Sequence, residues 1–498
     1  MISSPSIVPK TGARDISNPL SSIDSQLMIA DDLIACAASS LHVPDLGQQV
    51  KACLSPTATD AGIPGLQQVI LCVHRYPPAR GGAEAYAARL AAYLQQHSTR
   101  VRVWTTAAIQ LEDLWYPPAG IPQYIQESRS EAVVERFAPV RGFPGRRWLL
   151  KALSFGPHPL WRCLTVPCNP LCPSLWRYAG GYAGPVDAVH ALAFPYALLA
   201  ASAWRLARRR GVPLFLTPFI HFGDRTDPHD TVRRAYTAWH LRWLLRQADG
   251  IFVQTAAERD VVLSCGVLPQ RVHLQGMGVD PRECTGGDRQ RTRRQWNVDD
   301  RVTVIGHLAN LSWEKGSIDL VEAVDRLYAQ GWPCRLVLAG PAMPNFRRYW
   351  RTRQGHPAIT WLGPLTPEQK RDFYAALDVF ALPSRTDSFG LVLLEAWANG
   401  LPNVAYQAGG PGELIRHEQD GLLVRCGAVD TLAVQLIRLI RNPNWRQTLG
   451  SNGQKRTVSE FRWQEKLELV RQTMQETIQR LRHGAYSIPT AATGTNLV

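Results

Sequence analysis

The sequence predicts an α/β protein built from two Rossmann-like, doubly wound domains. Three observations carry this. Short, nearly uninterrupted apolar runs recur at 68–73, 302–308, 335–340 and 379–382, as expected of strands buried on both faces of a parallel sheet. Between such runs lie stretches with apolar residues at helical spacing, for example Ile318, Val321, Val324 and Leu327. Finally, a chain of 498 residues is too long for one hydrophobic core, so two domains are expected.

Residues 1–64, rich in Ser, Asp, Pro and small side chains, read as a poorly packed extension with at most one helix, at 25–41. The first domain, 65–280, opens with the strand 68–73. A loop carrying Gly81 and Gly82 follows, then an Ala-rich helix to about His97 and a strand at 101–105, which together make a βαβ unit. Residues 141–185 read as loop, basic and aromatic. Aromatics mixed with Arg suit a membrane interface or a lipid-linked acceptor, and they equally suit an insertion that covers the domain's own core. The run 188–204 is short and broken by His190, Pro195 and Ser202, so it reads as a strand, a turn and a buried helix, not a membrane span. The strand from Pro213 leads into a loop bearing His221, past the strand's C-terminal end, where open α/β sheets bind ligands. Another strand is expected at 249–255. The second domain, 281–461, begins with an Arg-rich helical stretch around Arg289–Arg294 and the strand 302–308. The loop 309–316 contains Asn310 and Lys315 and precedes a helix with Ser317 as its expected cap. Thr366-Pro-Glu-Gln369 reads as a capping box with Pro at the first helical position. A strand at 402–406 ends in Gly409-Gly-Pro-Gly-Glu413. Residues 462–482 read as a long amphipathic helix and 483–498 as a flexible tail.

The stretch 382–400 organises the whole. An apolar strand ends at Leu382; Pro383, Ser384 and Ser388 supply turn chemistry; a helical run goes from Phe389 to Asn399, and Gly400 stops it. Free backbone N–H groups near Gly390, Leu391 and Val392 and the helix dipole favour an anion there. Yet Asp387 stands before the opening and Glu395 about one and a half turns in. Carboxylates accept from hydroxyls and repel phosphate. N–H groups for phosphate beside carboxylates for hydroxyls describe a nucleotide-sugar pocket.

Asp387-Ser-Phe-Gly-Leu-Val-Leu-Leu-Glu395 resembles the Glu-x7-Glu signature of the retaining GT-B glycosyltransferases of family 4 (glycosyl transferases group 1), with Asp as its first acid. The resemblance runs from about Gln68 to Leu481 and implies the GT-B arrangement, in which the two domains face each other across a cleft. It implies transfer of a sugar from a UDP- or GDP-sugar to an acceptor hydroxyl of a glycan, lipid or small molecule, with retention and without a metal or other cofactor. The implied roles are Glu395 on ribose or nucleotide hydroxyls, Asp387 on the donor sugar and Lys315 on the diphosphate, with His221 orienting the sugar or assisting charge development. Gly82 and Gly410 would permit close backbone approach, and Phe389, Gly390 and Leu391 would form the wall of the donor site. Gly276-Met-Gly-Val-Asp-Pro281 resembles the family's hinge, and the terminal helix would cross back onto the first domain. Where the family usually carries Arg, five residues before the Lys, this chain has Asn310; Arg385 is a candidate substitute.

The formal charge of +14, mostly Arg, suggests an acidic partner, either phosphates or an anionic membrane to which the chain would bind peripherally. A nucleic-acid partner lacks a motif. The ten cysteines include no CxxC pair; Cys163, Cys168 and Cys172 cluster without completing a zinc pattern, and Cys72 and Cys334 read as buried thiols of a reducing cytosol. With no signal peptide apparent, the expected location is the cytoplasm, at the inner membrane surface if lipid is the acceptor. The rival reading is a non-catalytic or divergent GT-B protein that only binds sugar nucleotides; a GT-B epimerase lacks support from the acidic signature.

Overall fold

The structure is a computed structural model and describes residues 66–167, 169–192, 194–223, 230–353 and 355–482. The N-terminal extension with its helix at 25–41, the C-terminal tail and Cys168 therefore lie outside the described residues.

Eight strands form the first sheet: β1 (Gln68–Val73), β2 (Arg100–Thr106), β3 (Tyr124–Ser128), β4 (Val133–Phe137), β5 (Ala188–Leu192), β6 (Leu214–Thr217), β7 (Gly250–Val253) and β8 (Val272–Leu274). Their order is β3-β4-β2-β1-β5-β6-β7-β8. Only β3 runs antiparallel, hairpinned onto β4. The second sheet is wholly parallel. It holds β9 (Thr303–Leu308), β10 (Cys334–Ala339), β11 (Ile359–Trp361), β12 (Val379–Leu382), β13 (Asn403–Tyr406) and β14 (Gly421–Val424), in the order β11-β10-β9-β12-β13-β14. Both sheets are therefore doubly wound, and helices cover both faces, which is why β1 and β12 are buried at every position.

The chain passes between the two halves twice, and the passages touch: the Val279 N–H donates to the Phe461 carbonyl at 2.9 Å. The terminal helix Trp463–Arg482 lies against the Gly82–Gln96 helix of the first domain. There the Tyr93 hydroxyl donates to Glu468 at 2.8 Å, and Leu467, Val470 and Met474 extend an apolar core that runs through both halves.

The basic aromatic stretch after Phe137 is not loop. It forms three short helices, Arg146–Leu153, Pro159–Thr165 and Pro173–Gly181. Two of them start at Pro, whose missing N–H costs nothing at a helix N-terminus. Trp176 and Tyr178 pack on the domain core, as an insertion covering that core requires, whereas Trp148 and Trp161 are exposed. Cys72, Cys163, Cys172 and Cys334 are buried free thiols.

Four imidazoles make stability depend on pH. Burial pushes His190 down to about 3 and His240 to about 4. It also pushes His221 and His307 to about 4, with the Lys315 charge adding to the effect. In the unfolded chain each titrates near 6.5. Below that value the unfolded state binds protons that the folded state refuses, so stability falls as pH drops from about 6.5 to about 4. The buried Glu258 carboxyl works in the opposite sense: burial raises it to about 7, so its contribution is lost as pH rises through neutrality. Each shifted unit corresponds to about 1.4 kcal/mol, so the thermal midpoint should drop sharply between pH ~7 and ~4.5 in a calorimetric scan. An unchanged midpoint would show these imidazoles to be charged in the fold.

Candidate active site between the two domains

In a doubly wound sheet, ligands bind beyond the strand C-termini where the strand order reverses. In the second domain that point lies between β9 and β12. The loop after β9 carries Asn310 and Lys315; the loop after β12 carries Asp387. They meet there: Lys315 Nζ donates to Asp387 Oδ2 at 2.7 Å and to the Thr386 carbonyl at 3.4 Å. Asp387 Oδ1 accepts from the Phe389 N–H at 3.3 Å, which fixes the turn into the helix. Burial alone would raise the Asp387 carboxyl, but the Lys315 charge and the two hydrogen bonds outweigh it and hold it below the ordinary carboxylate range.

The helix runs Leu391–Ala398, starting two residues later than its sequence suggests. Its N-cap is Gly390, at φ +89, a left-handed conformation that a side chain would strain. No side chain caps this helix, so its first N–H groups remain available at the opening. The Phe389 ring is buried near the Phe461 ring, so only its backbone can face a ligand. Ser317 likewise differs from expectation. Gly316 is the N-cap of its helix, and the Ser317 hydroxyl instead bonds His307 Nε2 at 2.8 Å and the Ser312 N–H at 3.1 Å.

From the first domain, His221 arrives from beyond β6. It is close enough to Lys315 and Asp387 to feel both charges, and it is held flat against Tyr236 with ring centroids 5.3 Å apart. Neutral at physiological pH, it can donate or accept a hydrogen bond without adding charge. Gly82 faces the helix start directly: a Cβ there would lie 3.8 Å from Leu391 Cδ1. Its turn is backed by a buried cluster in which Glu84 pairs with Arg75 at 2.5 Å and His74 at 3.3 Å. Burial opposes ionisation of Glu84, yet His74 and Arg75 bring it down to about 2.

Glu395 is one turn into the helix and already occupied. Lys370 Nζ reaches Oε1 at 2.7 Å, and the buried Tyr374 hydroxyl donates to Oε2 at 2.9 Å. Gly410 packs closely against the chain itself. A Cβ there would come within 2.4 Å of the Ser388 carbonyl, and its N–H donates to the Asp387 carbonyl at 2.9 Å. Glycine at 410 lets this loop clamp the acidic turn. Next to it, Glu413 reaches across the domains and accepts from the N–H groups of Ala256 and Ala257 at 2.7 and 2.9 Å.

Lys370, Tyr374, Tyr236 and Glu413 were not singled out by sequence. Lys370 and Tyr374, one turn apart on the capping-box helix, share a face and offered a signal; for Tyr236 and Glu413 there was none. Arg385, the candidate substitute for the missing Arg, already has partners. Its guanidinium pairs with Asp319 at 2.5 Å and lies 4.3 Å from the centre of the Trp313 ring. Asn310 is exposed. Asn310→Arg should therefore add the absent cation and tighten nucleoside diphosphate binding by on the order of tenfold, the lower end for a charge-assisted bond. Calorimetric titration of both proteins checks this; equal affinity would show that position 310 does not reach the ligand.

Comparison with known proteins agrees with this architecture. Residues 81–278 match the family described as Glycosyl transferase 4-like domain, and residues 288–456 match Glycosyl transferases group 1. A D-inositol 3-phosphate glycosyltransferase of Rhodococcus jostii is 28% identical over 286 residues, covering 54% of this chain and 62% of its own length. A GDP-mannose-dependent alpha-mannosyltransferase of Mycobacterium tuberculosis is 32% identical over 245 residues, covering 48% and 61%. The chain thus spans a little over three-fifths of these relatives. Among solved structures, a sucrose-phosphate synthase of Thermosynechococcus elongatus superposes with a TM-score of 0.61 at 20% identity, over 84% of this chain and 100% of its own. Anabaena HepE in complex with UDP and glucose gives the same score and identity over 82% and 99%. At that identity the likeness speaks for the fold alone. The two matches follow one another across the two sheets, so residues 81–278 form a glycosyl transferase 4-like domain, residues 288–456 a glycosyl transferases group 1 domain, and together they make the two-domain GT-B fold.

Proposed function

We propose that this chain transfers a sugar from a nucleoside diphosphate sugar to an acceptor hydroxyl, with retention and without a metal. The observation that carries the reading is the convergence of Lys315, Asp387 and His221 at an uncapped helix N-terminus facing the Gly82 turn. Lys315 and the helix N–H groups would take the diphosphate, offsetting its charge as a metal otherwise would. Asp387 and neutral His221 would bond sugar hydroxyls. Remaining acceptor positions on Glu395 would hold ribose. As the bond from the anomeric carbon to phosphate oxygen breaks, the acceptor oxygen bonds that carbon from the same side, and its proton passes to the leaving phosphate. A relative whose name specifies GDP-mannose, and a structural neighbour bound to UDP and glucose, make UDP- and GDP-sugars the donors to try first. The expected location is the cytoplasm, at the inner membrane surface if the acceptor is a lipid.

The test is a panel of UDP- and GDP-sugars, with and without hydroxyl acceptors, read by nucleoside diphosphate release, by the anomeric configuration of the product and by insensitivity to chelator. One residue favours a second reading: Asn310, where the resemblance leads one to expect Arg. Tight nucleotide binding with no release from any donor would make the chain a sugar-nucleotide-binding protein.

A further inference from the structure

The first domain carries a surface that the transfer chemistry does not use. Residues 138–186 contain six Arg or Lys, of which Arg146 is buried, and no acid, and residues 231–247 contain four Arg and no acid. Folding brings these two distant segments together. The Pro159–Thr165 helix packs on the Trp239–Gln247 helix, where Cys163 Sγ lies 3.7 Å from the His240 carbonyl and the Arg162 guanidinium 5.6 Å from the centre of the Trp239 ring. The Arg146–Leu153 helix joins the same face, since the Trp161 indole donates to the Leu153 carbonyl at 2.6 Å. Aromatic rings stand out from it: Phe155 is 76% exposed, Trp148 75%, Trp161 45% and Trp239 40%. Lys151 is also exposed, with its ammonium 5.8 Å from the centre of the Trp148 ring.

Two large rings held three-quarters in water contribute almost nothing to folding. Grouped on an acid-free, Arg- and Lys-bearing face, they mark a contact surface. Its chemistry matches one partner on both counts. At an anionic bilayer the rings enter the boundary between headgroups and chains, while the cations meet lipid phosphates. No helix among the described residues is long and apolar enough to cross a membrane, so the contact would be made from the surface.

We propose that this face docks the chain onto an anionic phospholipid bilayer. The face adjoins the cleft: Tyr236, which stacks on His221, stands three residues before Trp239. On the transferase reading above, and only there, the docked cleft would receive an acceptor carried by the membrane.

The test is co-sedimentation of the full chain with vesicles of phosphatidylcholine alone and of an equimolar phosphatidylcholine–phosphatidylglycerol mixture. Recovery should require the anionic lipid and fall as salt rises, because exposed charges are screened. The exposed double variant Trp148→Ala/Phe155→Ala should lose at least roughly tenfold in partitioning, and Lys151→Glu should weaken binding to the anionic vesicles only. Calorimetric nucleotide affinity of the double variant should equal the parent's, which separates this face from the donor site. Equal recovery with both vesicles, or parental partitioning by the double variant, overturns the proposal. So does a loss of single-stranded RNA binding in the double variant without a loss of lipid binding, which would assign the face to nucleic acid.

Discussion

Lys315→Ala is expected to lower affinity for nucleoside diphosphate by two to three orders of magnitude and to remove turnover with it. Lys315 has three ammonium donors. One is spent on Asp387 and a weaker one on the Thr386 carbonyl, which leaves a third for an entering anion. Losing a charge-assisted bond costs ~1.5–3 kcal/mol. The substitution also leaves Asp387 uncompensated beside an incoming diphosphate, and like charges add to the loss. Arg385 cannot step in, because Asp319 and Trp313 hold it. The same change removes the main charge holding Asp387 ionised, so its carboxyl should titrate higher and the fold should lose some stability. A Tm measurement alongside calorimetry separates the two effects: a folded variant with parental affinity would show that this loop is not the phosphate site.

The fold could be read from residues because burial on both faces leaves a plain trace. β1 and β12 run as their apolar stretches suggest, and Thr366 with Gln369 forms the capping box that the spacing announces. The β3–β4 hairpin was missed for a physical reason. Tyr124–Ser128 alternates at an exposed sheet edge, and in Val133–Phe137 a buried Glu135 interrupts the apolar pattern. That carboxylate is made tolerable by Arg102, Trp104 and Tyr178 from other elements, partners no local pattern discloses. The candidate site divides the same way. Asp387, Lys315 and the helix start are local motifs and could be found. Which residue each one bonds depends on how the loops after β9 and β12 meet, and that is set by strand order, not by spacing. Gly410 illustrates the difference: a glycine requirement is visible in sequence, but whether a ligand or the chain's own Ser388 fills the space is not.

Glu395 calls for two substitutions, because it has two jobs. Its oxygens accept from Lys370 and Tyr374, yet an ionised carboxylate offers about four acceptor positions, so room remains for ribose hydroxyls. Glu395→Ala leaves the Tyr374 hydroxyl, which burial and the neighbouring carboxylate keep protonated, with only a long bond of 3.4 Å to the Val392 carbonyl. It also strands the Lys370 charge. An orphaned buried donor costs about 1–3 kcal/mol, so this variant should unfold at lower temperature as well as bind donor poorly. Glu395→Gln keeps the shape and an acceptor for Tyr374 while removing the charge. It should melt close to the parent and still lose roughly ten- to hundredfold in sugar-nucleotide affinity, the range for one lost bond to a charged group. Thermal melts and donor titrations of the pair decide the matter. If the Gln variant binds and turns over donor as the parent does, Glu395 serves only to pin the Pro367–Ala376 helix against the helix start, and the nucleotide is held elsewhere.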